Sequence, residues 1–176
     1  YAVYPGKNIA DHIKPFTEGA FKLDGPTKMA SAVMPYYTIS SGEGENVANG
    51  YNKYLITDGL RGKYGYEGVL CTDWGITRDM SAEGKPFGVE NLSVAERHYK
   101  AIAAGMDQFG GNNDMGPVLE AFKLGVAELG EEAMRARFEA SAVRLLTNIF
   151  RVGLFENPYL EVAETEKIVG NSEFMK

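Results

Sequence analysis

The chain has 176 residues, and 24 acidic against 18 basic side chains give a formal net charge of −6. Hydrophobic residues make up 44%, close to the roughly 45–50% of ordinary globular proteins, so the composition supports a packed core rather than disorder. No apolar run approaches the roughly 20 residues that span a bilayer, no charged-then-apolar leader opens the chain, and no Lys/Arg block offers an electrostatic footprint, so neither membrane nor nucleic acid is expected as a partner.

One domain is the default at this length. Glycine is in excess, 21 residues or about 12% against a usual level of roughly 7%, which predicts sharp turns between short elements. Tyr1 to Lys7 reads as an irregular lead-in. Apolar residues from Ile9 to Phe21 recur at helical spacing, with Pro15 kinking or restarting the helix. Ala30 to Tyr37 is too short for a normal helix and lacks polar alternation, so it predicts a strand buried on both faces with Pro35 near its end. Glu45 to Tyr64 predicts an amphipathic helix closed by Gly62 or Gly65. Val69 to Thr72 then predicts a second, four-residue apolar strand that ends abruptly in Asp73 and Trp74. Arg78 to Leu92 reads as a long loop. Ser93 and Glu96 form a capping box for a helix that Gly105 stops, and Met106 to Phe109 predicts a third strand. Helices follow over Gly116–Leu129 and Glu131–Val152, and Gly153–Lys176 reads as a polar tail. Strands without polar alternation between helices predict a parallel sheet covered by helices. Three strands make only part of a closed (β/α)8 barrel, which rarely needs fewer than about 200 residues, so the chain is expected to be one piece of a larger fold.

In parallel α/β folds the reactive groups gather where strands end and loops begin. Asp73 holds that place, beside Trp74 and between Gly68 and Gly75. It reads equally as a functional carboxylate or as the cap of the next turn. Tyr37 ends the preceding strand in the same way, with Met34 three residues before it. On a shared rim its phenol could reach the carboxylate, although a lone tyrosine also serves packing. Gln108 to Asn113 offers amides and small residues that suit hydroxyl-rich ligands and ordinary turns alike. An exposed tryptophan beside an ionised carboxylate is what sugar binding needs, because pyranose C–H faces lie against an indole while hydroxyls take polar partners. Arg78 either reaches the same mouth or forms a surface pair with Asp79 or Glu83. Cys71, the single cysteine, reads as a buried thiol. His12 and His98 stand alone on helices, so capping or surface roles are expected and no metal or cofactor is implied. No Gly-x-Ser-x-Gly elbow, P-loop or dinucleotide fingerprint is present; Gly42-Glu43-Gly44 lacks the third glycine.

The stretch Ala32-Val33-Met34-Pro35-Tyr36-Tyr37, then Leu60 to Gly75 with Cys71-Thr72-Asp73-Trp74-Gly75 at its end, then Ala103-Ala104-Gly105-Met106-Asp107, resembles glycoside hydrolase family 3 in order and spacing. Arg144-Leu145-Leu146 and Gly153 to Tyr159 look like the family's exit from its barrel into a linker. The resemblance implies an α/β fold in which residues 1–155 form the C-terminal part of a (β/α)8 TIM-type barrel, about its last three strands. Residues 156–176 would lead toward a second domain. It implies a retaining β-glycosidase of the β-glucosidase branch, hydrolysing terminal non-reducing β-D-glucosyl residues through a covalent glycosyl-aspartate. Asp73 would be the nucleophile and Trp74 would wall the first sugar subsite. Tyr37 would hydrogen-bond near the nucleophile, and Met34, Arg78 and Gln108 would line the substrate. A second carboxyl about 5–5.5 Å away must protonate the leaving oxygen; Glu83 and Glu90 are candidates. The family's Lys-His segment, early aspartate and arginine have no counterpart here, so the remaining barrel segment or a second copy of the chain is the expected partner besides the β-glucoside. The alternative is a catalytically incomplete half-barrel that self-associates or only binds sugars. A periplasmic or extracellular location is favoured.

Overall fold

The computed structural model describes residues 1–79 and 87–173. The chain forms two compact units, Tyr1–Arg144 and Leu145–Lys176. The sheet lies in the first. Strand β1 (Ala32–Val33) pairs in parallel with β2 (Val69–Leu70), Ala32 opposite Val69 and Val33 opposite Leu70. The first strand is far shorter than the apolar run suggests, because Pro35 has no N–H with which to continue a ladder. The third expected strand joins β2 through one parallel bridge, Cys71 to Gln108. Its backbone nevertheless tracks β2, with Asp107 N donating to Leu70 O at 2.8 Å and Thr72 N to Gln108 O at 2.8 Å.

Most of the other elements are helical. Helix α1 is a single turn, Ile9–His12, and a π-helical segment, Pro15–Ala20, follows it, so Pro15 restarts the helix as its ring requires. The single amphipathic helix expected over Glu45–Tyr64 is instead a 3₁₀ turn, Asn49–Tyr51, and a π-helix, Tyr54–Lys63. Asn52 divides them. Its amide donates to Glu43 O at 2.7 Å and Glu45 O at 3.1 Å, while its oxygen accepts from Leu55 N at 3.3 Å, bonds that hold the local backbone out of a continuous helix. Helix α2 (Val94–Ala104) carries the capping box between Ser93 and Glu96, and Gly105 at φ 115° ends it.

Helices α3 (Gly116–Leu129) and α4 (Glu131–Arg151) follow. Ile102, Ala121 and Met134 bury together, with Phe122 and Phe138 edge to face at 5.2 Å. Gly125 permits that approach, since a β-carbon there would stand 2.9 Å from Met134 Cγ. The larger core gathers Tyr51, Tyr66, Leu70, Ile76, Phe87 and Met106. Its two phenols are satisfied, Tyr51 donating to Ile76 O at 2.9 Å and Tyr66 to Ala30 O at 3.1 Å. Burial raises both phenol pKa values, Tyr66 to about 12.

The second unit holds the end of α4 and helix α5 (Val162–Ile168), which lies in residues expected to be a polar tail. An exposed Lys167–Glu164 pair at 2.6 Å lies along α5. Among the described residues no helix is long and apolar enough to cross a membrane.

Candidate active site

Asp73 follows β2 at its carboxyl end and is 7% exposed, whereas its neighbour Trp74 is 62% exposed. The carboxylate is held by its own turn, with Oδ1 accepting from Trp74 N at 2.7 Å. Among the described residues it enters no ion pair, unlike a structural surface acid. The Tyr37 phenol donates to Trp74 O and also interacts with Asp73. Burial first, then the hydrogen bond and negative charge of Asp73, hold Tyr37 protonated above the ordinary tyrosine range. Phe87 stacks on the Tyr37 ring at 5.4 Å and fixes its plane.

Trp74 lies over the end of the third strand. A β-carbon on Gly110 would stand 2.7 Å from indole Cε3, and one on Gly111 would stand 2.6 Å from Cδ1. Only glycines let the ring come so close, and Gly111 also adopts φ 69°. Arg78 folds back over Gly75 and donates to Gly111 O at 2.6 Å. It does not pair with Asp79, whose carboxylate accepts from Arg97 Nη1 at 2.9 Å. Asp73, Trp74, Tyr37 and Arg78 thus meet on one rim. Met34 and the Gln108 side chain are exposed and make no hydrogen bond to these four groups among the described residues. Gln108 contributes through its backbone instead.

Glu90 cannot serve as a free acid in this arrangement. Its carboxylate accepts from Phe87 N and, at 3.1 Å, from Gly88 N. Burial opposes ionisation, but these backbone donors and the Arg97 charge outweigh it, so the group titrates below the usual glutamate range. Glu83 lies outside the described residues. A cavity of about 270 Å³ opens beside the rim, lined by Ile76, Arg78, Phe87, Val89 and Arg97 among others. Cys71 is half-buried, and burial, then the Asp73 charge, raises its thiol pKa.

Two features escaped sequence reasoning. His98, expected at the surface or in a cap, is 1% exposed. Its Nδ1 donates to Val94 O at 2.8 Å, and its Nε2 faces Thr77 Oγ1 at 3.3 Å and Asn112 Nδ2 at 3.2 Å. Burial lowers its pKa and favours the neutral ring. The Asp107 carboxylate, wholly buried, gathers Arg61 at 2.6 Å, Arg144 at 2.9 Å and Arg137 at 3.6 Å. An aspartate opening an apolar segment, with three arginines on helices, was the available signal, but the partners stand far apart in sequence.

A small parallel sheet with a turn-held carboxylate, a phenol and an exposed indole at the carboxyl end of a strand makes that rim the candidate site, the place where α/β folds gather reactive groups. No family model matches the chain. A periplasmic β-glucosidase/β-xylosidase of Dickeya chrysanthemi is 37% identical over 196 aligned positions, covering 100% of this chain and 28% of that protein. β-Glucosidase C of Emericella nidulans is 35% identical over 178, covering 98% and 27% respectively. Among solved structures, a β-glucosidase involved in saponin metabolism from intestinal bacteria superposes with TM-score 0.66 at 27% identity, over 93% of this chain and 19% of that one. A glycoside hydrolase family 3 β-N-acetylglucosaminidase from Paenibacillus shares the fold, with TM-score 0.65 at 20% identity. Over its whole length the chain is similar to β-glucosidases of the glycoside hydrolase family 3 type, and it spans about 28% of the length of the first of these relatives.

Proposed function

We propose that this chain supplies the nucleophile portion of a retaining β-glucosidase site that hydrolyses terminal non-reducing β-D-glucosyl residues. The observation that carries the reading is the pair at the end of β2, a carboxylate 7% exposed and free of ion pairs among the described residues, beside an indole 62% exposed. Asp73 attacks the anomeric carbon as an oxocarbenium-like transition state develops, expelling the aglycone and forming a glycosyl ester. Trp74 walls the first sugar subsite, and Tyr37 holds the turn that presents the carboxylate. Arg78 buttresses that rim through Gly111, while Met34 and Gln108 border the substrate more distantly. The ester is cleaved by water activated by the second carboxyl, which first protonated the leaving oxygen.

Glu90 is engaged by backbone donors, and in this reading the second carboxyl is supplied by polypeptide other than the residues described. The rest of the barrel, or a second copy of the chain, completes the site. In this reading residues 1–155 form the C-terminal part of a (β/α)8 barrel and residues 156–176 lead on toward a second domain. The Dickeya relative's periplasmic name favours a location outside the cytoplasm for this chain too.

The test is mechanism-based labelling. An activated 2-deoxy-2-fluoro-β-glucoside, added to the assembled enzyme, should leave a fluoroglucosyl ester on a peptide containing Asp73, and Asp73→Asn should abolish labelling and turnover with the helical signal unchanged. An ester on any other residue refutes the assignment. The second reading, a half-barrel that only binds sugars, rests on the small sheet with unpaired edges; sugar-dependent change in Trp74 emission without turnover in the assembled enzyme would favour it.

A further inference from the structure

We infer that Asp107 is a positioning residue for the Asp73–Trp74 rim, acting through the third strand rather than by touching substrate. The inference rests on the proposed function, because it concerns what holds that site in register. Asp107 engages both backbone polar groups of one residue of β2, Leu70. Its backbone N donates to Leu70 O at 2.8 Å, and its Oδ2 accepts from Leu70 N at 3.0 Å. A carboxylate closing a ring with a strand N–H substitutes for the ladder bond that an adjoining strand residue would supply.

From this anchor the paired backbones run toward the site. Thr72 N donates to Gln108 O at 2.8 Å, Gly110 N to Thr72 Oγ1 at 2.9 Å, and Gly75 N to Gly110 O at 3.0 Å. The glycines under the indole stand three and four residues beyond Asp107 in the sequence, about 10–13 Å at strand rise. Slipping one strand past the other by a single residue would move the glycine shelf from beneath Trp74 and open the turn that holds Asp73. With one bridge as the only ladder pairing between these segments, register is weakly specified by the ladder itself.

The anchor is itself held from outside. Asp107 Oδ1 accepts from Ser141 Oγ at 2.6 Å and Arg144 Nη1 at 2.9 Å, both on α4, and Oδ2 accepts from Arg61 Nη2 at 2.6 Å on the π-helix. Arg61 also donates to Gly105 O at 3.3 Å, and Arg137 donates to Ile102 O at 3.0 Å and Met106 O at 2.5 Å. Both thus clasp the backbone immediately before Asp107. A group needed only to join helices to the sheet would not also have to bond the amide three residues before the candidate nucleophile.

Trp74 is the sole tryptophan, so its emission reports the rim without any activity. In the chain itself, Asp107→Asn should add fast, large-amplitude motion to the Trp74 anisotropy decay at a temperature where circular dichroism shows full folding. In the assembled enzyme, the maximal rate of fluoroglucoside labelling should fall about 100-fold, the usual cost of a misplacement near 1 Å, with little change in the concentration giving half that rate. Ser141→Ala, which removes one donor and spares the ion pairs, should shift both readouts in the same direction by less, and it carries the test if Asp107→Asn does not fold. A folded variant with lowered Tm but unchanged anisotropy and labelling rate overturns the inference. If the unaltered enzyme is labelled elsewhere than Asp73, the functional reading fails, and the anisotropy decay alone decides whether Asp107 holds the rim.

Discussion

Replacing Gly110 by alanine tests the glycine shelf most directly. The added β-carbon would stand 2.5 Å from Thr72 O, 2.7 Å from Trp74 Cε3 and 3.0 Å from Cζ3. Carbon pairs prefer about 3.5–4.0 Å, so the indole must withdraw by about 0.8 Å. It has room to do so, being mostly exposed. The Thr72 carbonyl has less, because the residue that carries it is tied twice, Thr72 N to Gln108 O and Thr72 Oγ1 to Gly110 N. Overpacking of this kind costs about 1–3 kcal/mol, and the backbone contact accounts for the part that a moving indole does not relieve. Urea unfolding followed by far-ultraviolet circular dichroism should show that loss, and Trp74 emission should shift to the red as the ring leaves its shelf. The double variant Gly110→Ala/Trp74→Ala should recover only part of the stability, since Thr72 O remains in the way. Stability within about 0.5 kcal/mol of the parent, the range of ordinary surface changes, together with unchanged emission, would refute the shelf.

Thr72→Val keeps the shape of a buried side chain but removes the acceptor of Gly110 N. Leaving that N–H unpaired should cost about 1–3 kcal/mol, visible as a lower Tm and faster exchange of the Gly110 amide. His98 should make stability depend on acidity. Its pKa is lowered in the fold, so between that value and an unfolded value near 6.5 the unfolded chain binds more protons. Its contribution is complete above about pH 6.5 and is lost as pH falls below it, by at most about 1.4 kcal/mol per pH unit. The urea midpoint of the parent minus that of His98→Gln, measured from about pH 5 to 8, should fall on the acid side; a difference independent of pH would contradict a buried neutral ring.

Elements defined by neighbours in sequence were legible in it. Ser93 with Glu96, and Gly105 with its positive φ, fix α2 within one turn at each end. Asp73 and Trp74 stood out because an acid directly after an apolar strand has no place in a core. Features defined by distant partners were not legible. Asp107 meets Arg61 across 46 residues and Arg144 across 37, and His98 meets Thr77 across 21; helical spacing carries no trace of such pairs. The break at Asn52 was hidden for another reason. The apolar spacing from Val47 to Leu60 fits a helix, and only the bonds of the Asn52 side chain to Glu43 and Glu45 show that the backbone takes a different path.

The shortness of the strands explains why so many polar side chains reach backbone atoms around this rim. A pairing of two residues per strand supplies little cooperative hydrogen bonding, and so small a sheet is marginal by itself. Side chains of the helices and of the segment just before β2 make up the deficit. Tyr51 bonds Ile76 O, Tyr66 bonds Ala30 O, Thr57 bonds Ala104 O at 2.7 Å, and Arg61 bonds Tyr66 O and Gly68 O, each at 3.2 Å. Each tie fixes a carbonyl within a few residues of a strand end, where a ladder would otherwise have fixed it. The carboxylate of Asp73 keeps its direction by one bond to the next peptide, and the residue after it is held in turn, Trp74 O by the Tyr37 phenol and Gly75 N by Gly110 O at 3.0 Å. Rigidity of the rim therefore comes from the helices inward, and losses at Asp107 or Thr72 should be felt at Trp74 before they are felt in helical content.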